Sequence, residues 1–220
     1  MSVLSRSTID ERLALPGWKP ESLVVTPILG SKKPFDYDAL DLRLGCFFLI
    51  PQSPPAPFLD PTEPDSAKHS HLRVHKALGS YLVIPAHQTV LGATLEFIKL
   101  PNDVSGQILT KSSVARTFLV IETAPWIHPL YRGCLTLEIA NVSNTPQVLY
   151  PGFLIGQLIL MSNDTAADAA EPLSAAYVGP IEPETPTLKD PRAVLRDIGV
   201  KRYLSPHSSE WQSTEDPSFK

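Results

Sequence analysis

Proline limits the folds open to this chain more than any other residue type. The 220 residues include 23 prolines and only 11 glycines. Many of the prolines cluster in residues 51–64 (PQSPPAPFLDPTEP) and 180–191 (PIEPETPTLKDP). Because proline lacks the backbone N–H that sheets and helices use, neither cluster fits inside a regular element. We therefore expect a proline-rich loop insertion at about residues 51–75 and a C-terminal arm at residues 180–220.

Short apolar runs dominate the sequence that precedes the arm. Some of them alternate apolar and polar residues, others are wholly apolar, and proline, glycine or asparagine separates them. Many short strands without a helical pattern between them predict a sandwich or barrel rather than a βαβ sheet. The predicted strands are residues 40–50, 81–84, 89–99, 106–109, 118–122, 134–141 and 153–161.

Two short helices are predicted near the ends of the chain. The first spans residues 5–15, where the hydroxyl of Ser5 or Ser7 can accept a capping hydrogen bond. The second spans about residues 190–199, with an aspartate cap, a proline in the first turn and a glycine at its end. Together these elements predict one mostly β domain over residues 1–179, followed by the arm.

Charge and cysteine content exclude several classes of protein. The formal net charge is −4 and the 19 Lys and Arg residues are scattered, which argues against a general nucleic-acid-binding surface. No run of 18 apolar residues occurs, so we expect no membrane span and no membrane partner. The two cysteines, Cys46 and Cys134, are far apart and form no CxxC pair, which favours a reducing cytoplasmic location.

Residues 110–116 (TKSSVAR) are the first candidate functional segment. Ser112 and Ser113 lie between Lys111 and Arg116, directly after a predicted strand. Hydroxyls, cations and turn amides in such an order can donate hydrogen bonds to phosphate oxygens. The same pattern is also compatible with a polar turn that carries solvated cations.

Residues 123–133 (TAPWIHPLYRG) form the second candidate segment. Pro125 and Pro129 are four residues apart and predict an irregular loop whose backbone groups can contact the edge of a base. A rigid connector between two strands is the alternative.

The predicted strand at 134–141 (CLTLEIAN) carries the best candidate for a catalytic base. Strand alternation places three apolar residues on one face and Cys134, Thr136, Glu138 and Ala140 on the other. Glu138 is then either solvated on an open face or held in a cleft. In a cleft, burial would raise its pKa toward the range that suits a general base.

In combination, these segments resemble the central signature of the dCTP deaminase family and its dUTPase relatives. The resemblance extends from residue 3 to about residue 160. The matching segments are DLRLG at 41–45, LPNDVSG at 100–106, SSVAR at 112–116, TAPWIHPLYRG at 123–133, GCLTLEIAN at 133–141 and YPGFLIGQL at 150–158.

The resemblance implies a fold and a reaction. Members of the family are homotrimers of distorted, dUTPase-like β-barrels, with active sites at subunit boundaries. They bind a pyrimidine deoxynucleotide and deaminate dCTP to dUTP and ammonia. The glutamate that corresponds to Glu138 is the general base. The residues that correspond to Ser112 and Arg116 place the attacking water and orient the carboxylate. Backbone atoms near Ala124 line the base.

The family also carries expectations about metals. It uses no zinc in its chemistry, and none of the six histidines here begins the H-x-E motif of zinc deaminases. Mg²⁺ accompanies the triphosphate, bound mainly by phosphate oxygens and water. We therefore predict no metal site built from protein ligands.

Further substrate contacts are expected from positions that match the family only in part. His128 replaces the acidic residue that contacts the sugar hydroxyl, and Trp126 replaces an arginine that reaches phosphate. Tyr177 matches the tyrosine of a late K-Y-x-x-Q segment whose lysine and glutamine are absent here. We assign these three residues to substrate binding, together with Lys111, Ser112, Ser113, Arg116, Ala124 and Thr136.

Three functions are compatible with these residues. The first is a dCTP deaminase that forms dUTP, the second an enzyme acting on another cytosine deoxynucleotide, and the third a non-catalytic nucleotide-binding trimer. The retained site residues favour the first two. A dUTPase is disfavoured because His128 replaces the aspartate that activates water in that branch, and because residues 180–220 contain a single glycine.

Overall fold

The computed structural model describes residues 2–30, 35–36, 38–52, 70–122, 124–168 and 179–185. Tyr177, the predicted helix at 190–199 and the centre of the predicted insertion lie outside the described residues. The helices are α1 (Arg6–Ala14) and α2 (Ser112–Ala115). The strands are β1 (Ser2–Val3), β2 (Val24–Thr26), β3 (Phe35–Asp36), β4 (Ala39–Arg43), β5 (Phe47–Pro51), β6 (His71–His75), β7 (Leu82–Ile84), β8 (Thr89–Lys99), β9 (Val104–Thr110), β10 (Leu119–Ile121), β11 (Trp126–Ile127), β12 (Arg132–Asn141), β13 (Gln147–Leu149) and β14 (Leu154–Ser162).

Two antiparallel sheets of six strands and one of two strands form the described part of the fold. The first sheet has the order β11-β9-β14-β4-β3, and β1 also pairs with β14. The second has the order β10-β12-β8-β5-β6, and β2 also pairs with β8. The small sheet consists of β7 and β13. The prediction of a mostly β, dUTPase-like fold is confirmed; within the described residues the barrel takes the form of two open sheets.

One apolar core joins the two large sheets. Leu40 and Leu158 enter it from the first sheet, and Leu137 and Ile139 enter it from the second; all four are fully buried. Each such side chain contributes about 1.5–3 kcal/mol by leaving water. Side chains alternate along a strand. Because every second residue of β12 points into the core, the residues between them point to the opposite face.

Helix α1 confirms the first predicted helix. The Ser5 hydroxyl accepts a hydrogen bond from the Thr8 N–H, so Ser5 rather than Ser7 is the cap. Ile9 is buried in the core and Leu13 packs against it. The helix ends at Ala14, two residues before a proline.

The prediction of one strand over residues 40–50 was wrong. The segment forms β4 and β5, which belong to different sheets and are separated by three residues. At the change of sheet, Leu44 bridges to Thr94 and the Gly45 N–H donates to the Ala93 carbonyl at 2.7 Å. A Cβ on Gly45 would lie 3.0 Å from that carbonyl, so glycine permits the close approach.

The loop insertion predicted at about residues 51–75 extends too far at its C-terminal end. His71–His75 forms β6, which pairs with β5 from Phe47↔His75 to Pro51↔His71. Pro51 is the last residue of β5, at its edge position. The neighbouring strand β5 is visible in the sequence as an apolar run, whereas β6 is largely exposed and gives no comparable signal.

No helix in the described ranges is both long enough and apolar enough to span a membrane.

Candidate active site

Strand β12 positions Glu138 between two sheet neighbours. Residue Glu138 lies opposite Leu91 of β8, and β10 pairs with the last three residues of β12 on the other side. Leu135, Leu137 and Ile139 are buried in the core, as the alternation predicted. The opposite face is not open, because Cys134 and Ala140 on it are buried as well. The Glu138 side chain is therefore half-buried rather than fully solvated.

The surroundings of Glu138 raise its pKa. Burial of the carboxylate is the main cause, since it penalises the charged form. A hydrogen bond from the Ala124 backbone N–H partly opposes this effect, and the negative charge of Glu122 adds to it. Glu122 is held close because its N–H donates to the Glu138 carbonyl at 2.8 Å. A partly buried carboxylate with a raised pKa is suited to take a proton from water.

Helix α2 presents the serine and arginine residues that the sequence singled out. Ser112 and Ser113 form its first turn, Arg116 is its C-cap, and all three are exposed. The helix packs against β10, the strand that pairs with β12. The structure thus places α2, which presents these residues, and β12, which carries Glu138, against the same strand, β10.

The ammonium group of Lys111 is bound within the chain. Its Nζ lies 2.7 Å and 2.8 Å from the two carboxylate oxygens of Asp41 on β4. Gln157 of β14 donates to the same Asp41 carboxylate at 3.1 Å. Lys111 was predicted to bind substrate. In this structure the Asp41 carboxylate on β4 neutralises its charge.

The segment from Ala124 to His128 is more regular than predicted. Trp126 and Ile127 form β11, which pairs with β9, and Ile127 is buried in the core. Ala124 and His128 are exposed, and 41% of the Trp126 surface is accessible. These three residues therefore remain available to a ligand on the side of the segment that faces solvent.

The first residues of the arm lie along the free edge of β12. The Gly179 N–H donates to the Arg132 carbonyl at 2.8 Å, and the Cys134 N–H donates to the Pro180 carbonyl at 2.7 Å. Further on, the Glu184 N–H donates to the Thr136 hydroxyl oxygen at 3.3 Å. Thr136, a predicted substrate contact, is thus covered by the arm two residues before Glu138.

Four acidic or polar residues at the site were not assigned a role from the sequence. Glu122 acts on the pKa of Glu138, and Asp41 and Gln157 hold Lys111. Glu184 brings a buried carboxylate oxygen that has no hydrogen-bond partner among the described residues, and burial raises the pKa of this group. In the sequence, the only feature that distinguishes Asp41 and Gln157 is that they belong to segments that match the family. No sequence feature distinguishes Glu122 or Glu184.

Comparison of the sequence with known proteins shows the family. Residues 3–163 match the dCTP deaminase-like family, so the chain belongs to it. It is 35% identical over 157 residues to the "dCTP deaminase, dUMP-forming" of Coprothermobacter proteolyticus, covering 71% of this chain and 80% of the relative. It is 36% identical over 154 residues to the protein of the same name from Mycobacterium avium, covering 67% and 78%.

A solved structure shows the same fold. The 2′-deoxycytidine 5′-triphosphate deaminase of Agrobacterium tumefaciens superposes with a TM-score of 0.55 at 21% identity. The match covers 72% of this chain, and this chain spans 46% of that structure. The chain is therefore a member of an enzyme family with a mostly β fold.

Proposed function

We propose that this protein is a hydrolytic deaminase of dCTP, with Glu138 as its general base. One observation carries the proposal: Glu138 is half-buried on β12, its pKa is raised by burial, and the Ala124 N–H orients its carboxylate. The names of the curated relatives support dCTP as the substrate.

The proposed reaction replaces the amino group of cytosine with oxygen. Glu138 takes a proton from a water molecule, whose oxygen attacks C4 of the base and forms a tetrahedral intermediate. The π electrons of the C4–N3 bond move to N3, which takes this proton from the carboxylic acid. Glu138 then moves the hydroxyl proton of the intermediate to the amino nitrogen, and ammonia leaves as the C4–N bond breaks and the C4=O bond forms. Ser112 and Arg116 place the water and orient the carboxylate, and the backbone at Ala124 lines the base.

The remaining contacts are proposed to hold the nucleotide. Ser113 donates to phosphate, Trp126 and His128 approach the phosphates and the sugar, and Thr136 and Tyr177 are assigned as further nucleotide contacts. A histidine can donate or accept one hydrogen bond at a sugar hydroxyl. Lys111 remains a candidate phosphate contact, although its ammonium group is paired with Asp41 in this chain.

Mg²⁺ is proposed to accompany the triphosphate. It prefers phosphate oxygens and water, so such binding needs no dedicated cluster of protein ligands. Within the described ranges, no three His, Cys, Asp or Glu side chains converge into one. When bound, Mg²⁺ neutralises part of the charge on the phosphates. We propose zinc-independent chemistry because the H-x-E motif of zinc deaminases is absent from the sequence.

Two products are chemically distinct, and the residues favour dUTP. Release of dUMP requires a second water attack at phosphorus, which the resemblance ascribes to an aspartate in place of His128. The curated relatives are named dUMP-forming, and this observation supports dUMP as the second candidate. Release of pyrophosphate together with ammonia would identify dUMP as the product.

The proposal is tested with a panel of cytosine nucleotides. We expect dCTP with Mg²⁺ to yield ammonia and dUTP, measured by coupled ammonia assay and ion-exchange chromatography of the nucleotides. Glu138→Gln should lower the rate roughly 10²–10⁴-fold, because it removes the general base and retains the shape of the side chain. Glu11→Gln, an exposed change on α1, is the matched control.

The outcomes separate the alternatives. Turnover of another cytosine deoxynucleotide in preference to dCTP would support the alternative that the enzyme acts on that nucleotide. Binding without turnover of any of them would support the non-catalytic trimer. Full ammonia release by Glu138→Gln would overturn the assignment of the base.

We also propose that the protein assembles as a homotrimer with sites at subunit boundaries. An aromatic patch, defined as Leu78, Tyr81, Tyr150 and Phe153, supports assembly. The ring centroids of Tyr81 and Tyr150 are 6.2 Å apart, and those of Tyr150 and Phe153 are 4.9 Å apart. Between 40% and 64% of each of the four side chains is accessible in the single chain, and apolar clusters of this kind are typical of association surfaces.

A further inference from the structure

Lys111 is the point at which strand β9 passes into helix α2. Its N–H donates to the Ile155 carbonyl of β14 at 3.0 Å. Its carbonyl accepts from the N–H groups of Val114 and Ala115 at 2.8 Å and 2.9 Å, which closes the first turn of the helix. Its side chain makes no capping hydrogen bond to α2 and turns instead toward Asp41. The residue therefore joins the helix to the first sheet through both its backbone and its side chain.

Asp41 is built to hold this lysine. The Asp41 side chain is 12% exposed and that of Lys111 is 21% exposed, so the ion pair is largely shielded from water. Asp41 and Gln157 are paired across β4 and β14, and the Gln157 amide donates to the Asp41 oxygen Oδ1 at 3.1 Å. The glutamine thus restricts the rotamer of the carboxylate that accepts both hydrogen bonds from Lys111.

Helix α2 needs such an external support. It has four residues, and a single helical turn is unstable by itself because nucleation fixes several dihedral angles for few hydrogen bonds. None of its residues is buried. Val114 packs against the core from this helix. Hydrogen bonds that involve ionised groups are stronger than neutral ones, so the Asp41–Lys111 pair adds a second anchor to that packing.

We propose that Asp41 is a positioning residue: through Lys111, and aligned by Gln157, it fixes the helix that presents Ser112 and Arg116 to the reacting water. This inference rests on the proposed function and deepens it. It assigns Lys111 a role in orienting the helix, whereas direct phosphate binding would require the ammonium group to leave Asp41.

The first test does not depend on activity. We expect Asp41→Asn to increase hydrogen–deuterium exchange of the amides of Val114, Ala115 and Arg116 about tenfold, because the opening of α2 loses a charge-assisted contact. Asp10→Asn is the matched control, since it removes an aspartate from an exposed ion pair with Arg6 on α1. Unchanged exchange at α2 in Asp41→Asn would overturn the proposal, whether or not the protein deaminates dCTP.

The second test is a double-mutant cycle in the deaminase assay. If Asp41 acts through Lys111, then Asp41→Asn and Lys111→Met should each lower kcat about tenfold, with little change in KM. The double variant should be no worse than either single variant, and Lys111→Arg, which keeps the ion pair, should restore most of kcat.

Direct phosphate binding predicts the opposite pattern. In that case Lys111→Met raises KM, whereas Asp41→Asn releases the ammonium group and leaves KM unchanged or lowers it. Additive losses in the double variant would also overturn the proposal. Melting temperatures of all variants identify any that fail to fold. If Asp41→Asn is one of them, the effect of Lys111→Met decides: a fall in kcat supports the proposal, and a rise in KM overturns it.

Discussion

Glu138 and Glu96 show how environment separates two carboxylates of one sheet. Burial raises the pKa of both. Glu96 is almost completely buried, and its carboxylate accepts the Arg43 N–H at 2.8 Å with the Arg43 guanidinium nearby. Its oxygens are thus committed to internal partners, Arg43 and the Glu96 backbone N–H. Glu138 is only half-buried, so solvent can reach it, and this difference in access favours Glu138 over Glu96 as the proposed base.

Glu122 is expected to tune the pH dependence of the reaction. Its negative charge raises the pKa of Glu138, so Glu122→Gln should lower that pKa. Since the ionised Glu138 carboxylate is the proposed base, the acid limb of the kcat/KM profile should move to lower pH. Rates between pH 4 and 9 would check this, with Glu11→Gln as the control. A shift of the limb to higher pH would contradict the electrostatic role of Glu122.

At the scale of elements, predictability followed the strength of the apolar pattern. β8 was predicted with its exact bounds, and β12 was predicted over eight of its ten residues, because both carry continuous or alternating core residues. β6 and β11 were missed, since one is exposed and the other is two residues long. Their pairing partners, β5 and β9, are what stabilise them as strands.

Gly133 is expected to control the docking of the arm on β12. It has a φ of +147°, and a Cβ at this position would lie 2.4 Å from Cδ of Pro180. Gly133→Ala should therefore displace residues 179–185, increase exchange at the Gly179 amide and lower the melting temperature by several degrees, for a cost of about 1–3 kcal/mol.

The control for this variant separates backbone strain from the clash. Gly79 has a φ of +86°, and an added Cβ would meet no atom within 4 Å. Gly79→Ala should thus destabilise the protein without mobilising the arm. Equal exchange at the Gly179 amide in both variants would argue that Pro180 does not depend on Gly133.

For the whole molecule, the exposed aromatic patch is the feature that a single chain does not explain. It lies next to the small sheet, where Val83 and Val148 form an exposed cross-strand pair. If the patch is buried between subunits, Phe153→Glu should shift the protein toward monomers, because it would place a charge in an apolar interface.

Sedimentation velocity measures this shift. The wild-type protein should sediment with a mass of about 72 kDa, three times the chain mass of 24.1 kDa. Trp18→Glu is the matched control, since Trp18 is 80% exposed and lies outside the patch. A trimer that persists in Phe153→Glu, or a wild-type monomer, would contradict this assignment of the interface.

The sequence by itself determined the mostly β fold, helix α1 and the face of β12 on which Glu138 lies. These features depend on local periodicity, capping and strand alternation. The ordered motifs also determined the family. Tertiary structure alone decided where residues 39–51 change sheets, and it alone brought Asp41 to Lys111 and Glu122 to Glu138. These outcomes arise from contacts between residues distant in sequence or from backbone packing, on which local patterns carry no information.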